Sequence, residues 1–491
     1  MATGTIGIID NSPFTIADSP ATEFRVVSFG PFTIAGSGRV TDVHIGLSNL
    51  SHTFPDDLDF LFLGPGGRNL AFWSDAGGNA DIVNGSFTIR DSGASLLPDA
   101  TVIASGTYKP TDYTFGSVEL ADNWGLPPSI AINHPGPAGT ATFASAFGGV
   151  WVDSSTWTLY VRDDAGGDVG SLGSWGFTIT YNFIVKTDDF NGDDNGDILW
   201  RNDSGQVYFW NMNGTAIQSE GGVAHAAVPN DWHIQGSGDF DADNSSDILW
   251  RHDSGQTYIW EMNGLNVKAE GTIAHAAVGT DWQIQGTGDF DGDAKSDILW
   301  RHDSGQTYIW EMNGLGVKAE GGVAHAAVPN DWHIERIGDF NSDAKSDILW
   351  RHDSGQVYIW DMDGLGILAE GGVAHAAVPN DWQIQGLGDF NNDGNSDILW
   401  RHDSGQVYIW EMDGLNVKTE GTIAHAPVPN DWHVEDVGDY NNDGKSDILW
   451  RHDSGQVYTW EMNGLQVTAE GAVPHAPVSS DWHIFSQHNF V

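Results

Sequence analysis

With 491 residues, 40% of them hydrophobic, the chain has material for more than one core and exceeds a single ordinary domain. Its 68 Asp and Glu against 20 Lys and Arg give a net charge of −48, the reverse of a nucleic-acid-binding surface and a poor match for an anionic membrane. The absence of cysteine excludes disulfides, thiolate metal sites and cysteine nucleophiles. So many carboxylates repel one another in a compact state unless they are spread out or neutralised by cations. The opening MATGTIGIIDNSPFTIADSP shows neither the basic nor the apolar region of a standard signal peptide, and no apolar run has the length of a membrane span.

Residues 1–183 alternate short β-like runs with Gly, Pro and Asn turns: RVTDVHIGLSNL, LDFLFLGPGGRN, STWTLYVRDD and SWGFTITYNF. This pattern predicts a two-sheet β-sandwich. A short linker is expected near Ile184–Asp188. From residue 184 to the C-terminus the chain is periodic. DILW recurs at Asp197, Asp247, Asp297, Asp347, Asp397 and Asp447, each 50 residues after the last. Every unit holds four strand candidates, in the third copy WQIQGTG, DILWRH, QTYIWEM and LGVKAEG, with Asp-Ser-Gly and Asn-Gly turns between them. Four antiparallel strands in such a period make one propeller blade, so the fold class is all-β, a β-propeller of six blades behind a β-sandwich. An open solenoid has the same period. The closing DWHIFSQHNFV begins a seventh unit, and its strand near His483–Val491 is expected to complete the first blade. No sustained helical period is present, so helix should be scarce.

Each unit carries one loop of the form D-x-[DN]-x-D-x-x-x-D. Its members are Asp189, Asn191, Asp193 and Asp197; Asp239, Asp241, Asp243 and Asp247; Asp289, Asp291, Asp293 and Asp297; Asp339, Asn341, Asp343 and Asp347; Asp389, Asn391, Asp393 and Asp397; and Asp439, Asn441, Asp443 and Asp447. Oxygens at the first, third and fifth positions of a tight loop converge on one hard cation. A backbone carbonyl at the seventh and a carboxylate at the ninth complete six or seven ligands, which is calcium chemistry and not zinc chemistry. An EF-hand is excluded, because strands flank the loop and no Glu stands at a twelfth position. The alternative is a solvated acidic turn. About six calcium ions are expected, in a structural role.

These repeats resemble the FG-GAP/VCBS repeats of calcium-binding β-propellers, such as integrin α-subunit heads, over about 300 residues. The chain lacks literal FG and GAP tripeptides and has six units where seven blades are common. HTFPDDLDFLFLGPGG, WSDAGG and TWTLYVRDDAGGDVGSLGSWGFTI resemble the P domain that follows subtilisin-like proprotein convertases. That resemblance implies a jelly-roll-like sandwich with possible calcium ligands among Asp57, Asp59, Asp75, Asp163 and Asp164. It also implies a neighbouring protease, which this sequence lacks. The propeller resemblance implies adhesion or recognition of a carbohydrate or a cell-surface protein, in an extracellular or cell-surface setting.

Of 23 Trp, 18 lie in the repeats, in sets at Trp200, Trp210 and Trp232 and their equivalents every 50 residues. They either fill the wedges between blades or offer faces for sugars. The segment WRHDSGQ groups Trp250, Arg251, His252, Asp253 and Gln256 as a candidate sugar site that repetition would make multivalent. The AHA histidines, such as His225, read as surface or turn residues. No GxSxG, HExxH or P-loop is present, and near-identical repeats argue against one asymmetric catalytic centre. A binding module is the expected function. The alternatives are an accessory or catalytic part of a polysaccharide-degrading lyase or hydrolase, or a structural surface protein.

Overall fold

The computed structural model describes residues 3–16, 25–29, 37–113, 130–148, 152, 156–184 and 188–485. The chain divides into two compact units, Thr3–Asn182 and Phe183–Val491. The first contains a seven-stranded and a five-stranded sheet. Their apolar faces meet: Phe62 of the strand Leu58–Leu63 lies 5.1 Å from Phe177 of Ser174–Ile184, and Trp73 of Asn69–Ser74 lies 5.2 Å from Phe87 of Ile82–Arg90. The single α-helix among the described residues, Phe143–Phe147, starts at a capping box between Thr142 and Ser145 and sets Phe147 against Phe62.

The second unit is a β-propeller of six four-stranded antiparallel sheets. In the second blade the strands are Trp232–Gly238, Asp247–His252, Thr257–Asn263 and Asn266–Thr272, and the pattern recurs every 50 residues. First strands pack against the first strands of neighbouring blades and form the hub. The second strand is buried on both faces from Asp247 to Arg251, because a blade lies on either side, so its sequence reads as a continuous apolar run. The fourth strand, at the rim, alternates exposed and half-buried residues. The C-terminal strand Trp482–Phe485 pairs antiparallel with Ile198–Asn202 and supplies the first blade's missing hub strand, as expected. Of the segment His483–Val491, residues 486–491 lie outside the described residues.

The wedges between blades are apolar. Phe340, Leu349 and Ile359 of the fourth blade pack with Ile398, Trp400, Trp410 and Met412 of the fifth. Each second-strand arginine then reaches across the seam. Arg201, Arg251, Arg301, Arg351, Arg401 and Arg451 lie over Trp250, Trp300, Trp350, Trp400, Trp450 and Trp200, at 5.0 to 5.2 Å from the ring centroid. The last contact closes the circle. The guanidinium also donates to backbone carbonyls, as from Arg301 Nη1 to Trp332 O at 2.7 Å. Replacing Arg301 with Met should remove a cation–π contact and leave that carbonyl unpaired. The expected loss is about 1–3 kcal/mol by chemical denaturation.

Candidate metal loops and the opposite face

The acidic loop joins the first and second strands, so it emerges on the same face as the Asn-Gly turn between the third and fourth. The Asp-Ser-Gly turn and the long connection to the next blade emerge on the other face. Each acidic loop is shaped by its first aspartate. Asp289 Oδ1 accepts from the backbone N–H of Gly292 at 2.7 Å, and its Oδ2 from Ala294 at 2.8 Å. This pulls the chain into a tight coil whose fourth residue is left-handed in all six loops: Gly192, Ala242, Gly292, Ser342, Asn392 and Asn442, with φ between 55° and 75°. The ninth aspartate turns inward. Asp247 Oδ2 accepts from Phe240 N at 2.9 Å and Oδ1 from Met262 N at 2.8 Å, tying the loop to the third strand. The equivalents Asp197, Asp297, Asp347, Asp397 and Asp447 do the same. This fastening role goes beyond the ligand role read from spacing.

The carboxylates converge. Among the described residues, one carboxylate oxygen from each of Asp239, Asp241 and Asp247 lies within 4.8 Å of the others, and likewise for Asp289, Asp291 and Asp297. Asp241 Oδ1 and Asn391 Oδ1, both third-position oxygens, are buried without a hydrogen-bond partner. Burial pushes Asp239 up to about 6, Asp289 and Asp339 to about 7, and Asp397 and Asp447 to about 8. Burial likewise lifts Asp197, Asp247, Asp297 and Asp347 well above the usual carboxylate range. An all-oxygen set in a tight coil, with carboxylates that resist carrying charge alone, fits a hard divalent cation. Spacing alone missed one contributor. Glu261, Glu311 and Asp361 on the third strands face these loops, and burial followed by the charges of Asp241, Asp291 and Asp343 raises them. The acid recurs in the repeat, but only strand pairing brings it to the loop.

The loops are also linked to one another. The backbone N–H groups of Ser246, Ser296, Ser346, Ser396, Ser446 and Gly196 donate to the carbonyls of Asp189, Asp239, Asp289, Asp339, Asp389 and Asp439, each in the preceding blade, at 2.5 to 2.8 Å. In the N-terminal unit, burial and then the charges of Asp164, Asp163 and Asp168 push Asp57 up to about 7. Burial also raises Asp59 well above its ordinary range, and Asp163 receives His52 Nε2 at 3.1 Å. Asp57, Asp59, Asp75, Asp163 and Asp164 form no three-oxygen group within 4.8 Å among the described residues.

On the opposite face the five residues of the candidate sugar site are placed differently from one another. Trp250 is only 1% exposed beneath Arg201 and presents no face to a ligand, whereas Arg251, 7% exposed over Trp300, lines a groove. Gln256 turns aside to Thr272 Oγ1 at 3.1 Å. The tryptophan sets of the second and third strands are wedge residues, whereas Trp232 and its equivalents stay half-buried. His252 and Asp253 do reach the surface. There they pair with Asp231 at 3.0 Å and His233 at 2.9 Å. Two polar grooves lie between blades. One, of about 190 Å³, is lined by His233, Gln235, Arg251, His252, Asp253, Thr280 and Gln283, and the next, of about 350 Å³, includes Gln283, Gln285, His302, Asp303 and His333. The AHA histidines lie in exposed turns and rest on the next blade, as His225 does 4.3 Å from the Trp260 ring.

The profile of the FG-GAP-like repeat family matches residues 339–400 and 389–450. No curated protein sequence matches the chain. Among solved structures, the C-terminal WD40 domain of Sif2 is 12% identical, with 59% of this chain and 88% of that one covered, at a TM-score of 0.34. The β-propeller domain of Myceliophteria thermophila Cps50 (Swd1) is 10% identical over 60% and 87%, at 0.35. The computationally designed Ika8 protein is 10% identical over 57% and 75%, at 0.29. The chain thus carries FG-GAP-like repeats within a six-bladed β-propeller.

Loop carboxyls that keep their protons above the pH at which an unfolded chain ionises them make the native state the greater proton binder between those two values. Stability then falls as pH rises. In buffer free of divalent ions, melting temperature should therefore drop between about pH 5 and about pH 8. A scanning calorimetry series across that window checks the sign.

Proposed function

We propose that the chain is an extracellular or cell-surface recognition and adhesion module, a calcium-binding propeller that presents a multivalent carbohydrate-binding face. The observation that carries the calcium reading is the recurrence, in six loops, of buried carboxylates gathered where their charges oppose one another. The ligand set would be the first, third, fifth and ninth residues of each loop, from Asp189, Asn191, Asp193 and Asp197 through to Asp439, Asn441, Asp443 and Asp447. Bound calcium neutralises this charge and stiffens a ring of loops already joined by backbone hydrogen bonds. Cytosolic free calcium is scarce, which favours an external setting. Among the described residues no helix is long and apolar enough to cross a membrane. We read the N-terminal unit as a P-domain-like sandwich.

An ion that binds only the folded state stabilises it by about 2.7 kcal/mol per site at a hundred times its dissociation constant. Melting should therefore rise strongly with calcium and collapse on chelation. Unchanged melting after chelation overturns the calcium reading.

The carbohydrate reading rests on the inter-blade grooves, whose His, Asp, Gln and Thr groups supply donors and acceptors for hydroxyls, with Trp232 and Trp282 packed behind the groove histidines His252 and His302. Replacing Asp253, Asp303, Asp353, Asp403 and Asp453 together with Asn should cut glycan-array binding more than about tenfold. Calcium-loaded melting should stay unchanged. Folded, calcium-loaded protein that binds no glycan removes this reading.

A further inference from the structure

Two of the six loops differ from the rest in a coordinated way. Their third position is Asp, at Asp241 and Asp291, where the others have Asn191, Asn341, Asn391 and Asn441. The same two blades place a fourth-strand lysine across the loop. Lys268 Nζ stands 2.5 Å from both Asp241 Oδ2 and Asp243 Oδ2. Lys318 Nζ stands 2.5 Å from Asp291 and 2.8 Å from Asp293. At the equivalent position the first, fourth and sixth blades have Gln218, Leu368 and Thr468. The fifth has Lys418, which faces an Asn-bearing loop and reaches Asp393 at 2.8 Å. In the fourth blade Lys345 turns away to Asp363, outside the loop. The extra carboxylate and the bridging ammonium therefore occur together. Each of these two lysines bridges the third and fifth carboxylates, whereas Lys418 and Lys445 reach only the fifth, Asp393 at 2.8 Å and Asp443 at 3.1 Å.

We propose that Lys268 and Lys318 are internal counter-ions that calcium must displace from two carboxylates of loops 239–247 and 289–297, so that each lysine lowers the calcium affinity of its own loop. This rests on the calcium reading above. An ion entering either loop meets an ammonium already spanning two of its ligands. It must drive that ammonium off or share those ligands with it. A unit charge about 5 Å from a divalent ion alters affinity by more than about tenfold even at the dielectric constant of water. The lysine side chains are 33% and 43% exposed, so each can swing into solvent. Glu261 and Glu311, beside the loops, attract the ion and the ammonium alike and do not discriminate between them. Lys295, 3.8 Å from Asp293, and Lys445, 3.1 Å from Asp443, each approach one fifth-position carboxylate and bridge none.

Isothermal titration of the full chain with calcium chloride tests this in the wild type and in Lys268→Gln/Lys318→Gln. In the double variant two sites are expected to tighten by about tenfold or more relative to the wild type. A second variant, Asp241→Asn/Asp291→Asn, keeps the lysines and should weaken the same two sites further. A double-lysine variant whose isotherm superimposes on that of the wild type overturns the proposal while leaving calcium binding intact. Absence of binding heat in both proteins overturns the calcium reading and the proposal with it.

Discussion

The propeller depends on the aspartate that opens each acidic loop, because that residue acts in two directions at once. The Asp239 carboxylate coils its own loop by accepting from Ala242 and Asn244, while its carbonyl accepts the backbone N–H of Ser296 in the next blade. Side chain and main chain of one residue thus couple loop shape to blade spacing. The coupling runs around the circle without a break, since Gly196 of the first blade donates to Asp439 of the sixth. Beyond the loops, the Arg-over-Trp contacts repeat the same closed logic through the seams. A blade cannot shift without disturbing both circuits.

Burying carboxylates in these coils is unfavourable, and the loops offset it in three ways. Backbone N–H groups hold the first and ninth carboxylates, lysines approach some of the third and fifth, and the remaining oxygens suit a cation. The balance differs from blade to blade although the period never does. The face carrying the loops is therefore chemically uneven. The opposite face, with its His–Asp pairs and polar grooves, varies less, mainly where Gln283 and Gln383 stand in place of His.

The gathering of the loop carboxylates was legible beforehand because they lie within nine residues of one another. Local spacing is enough to gather side chains in a tight coil. What was not legible came from distant pairing. Glu261 reaches the loop through the third strand, and Lys268 through the fourth. Neither position has a local reason to meet Asp241. The burial of Trp250 was not legible for the same reason. The type of a side chain does not say which face of a strand is covered, and here the preceding blade covers Trp250 through Arg201 while Arg251 lies over Trp300 of the next.

The sequence by itself determined the all-β class, the period, the six units and the strand that closes the ring, because alternation, turn residues and exact repetition are local properties that copy from unit to unit. Only the tertiary structure decided which tryptophans are walls, which arginines are braces and which acids share a loop with a lysine. Those outcomes depend on contacts between blades and between non-adjacent strands, and the separation of such partners along the chain carries no trace of their distance in space.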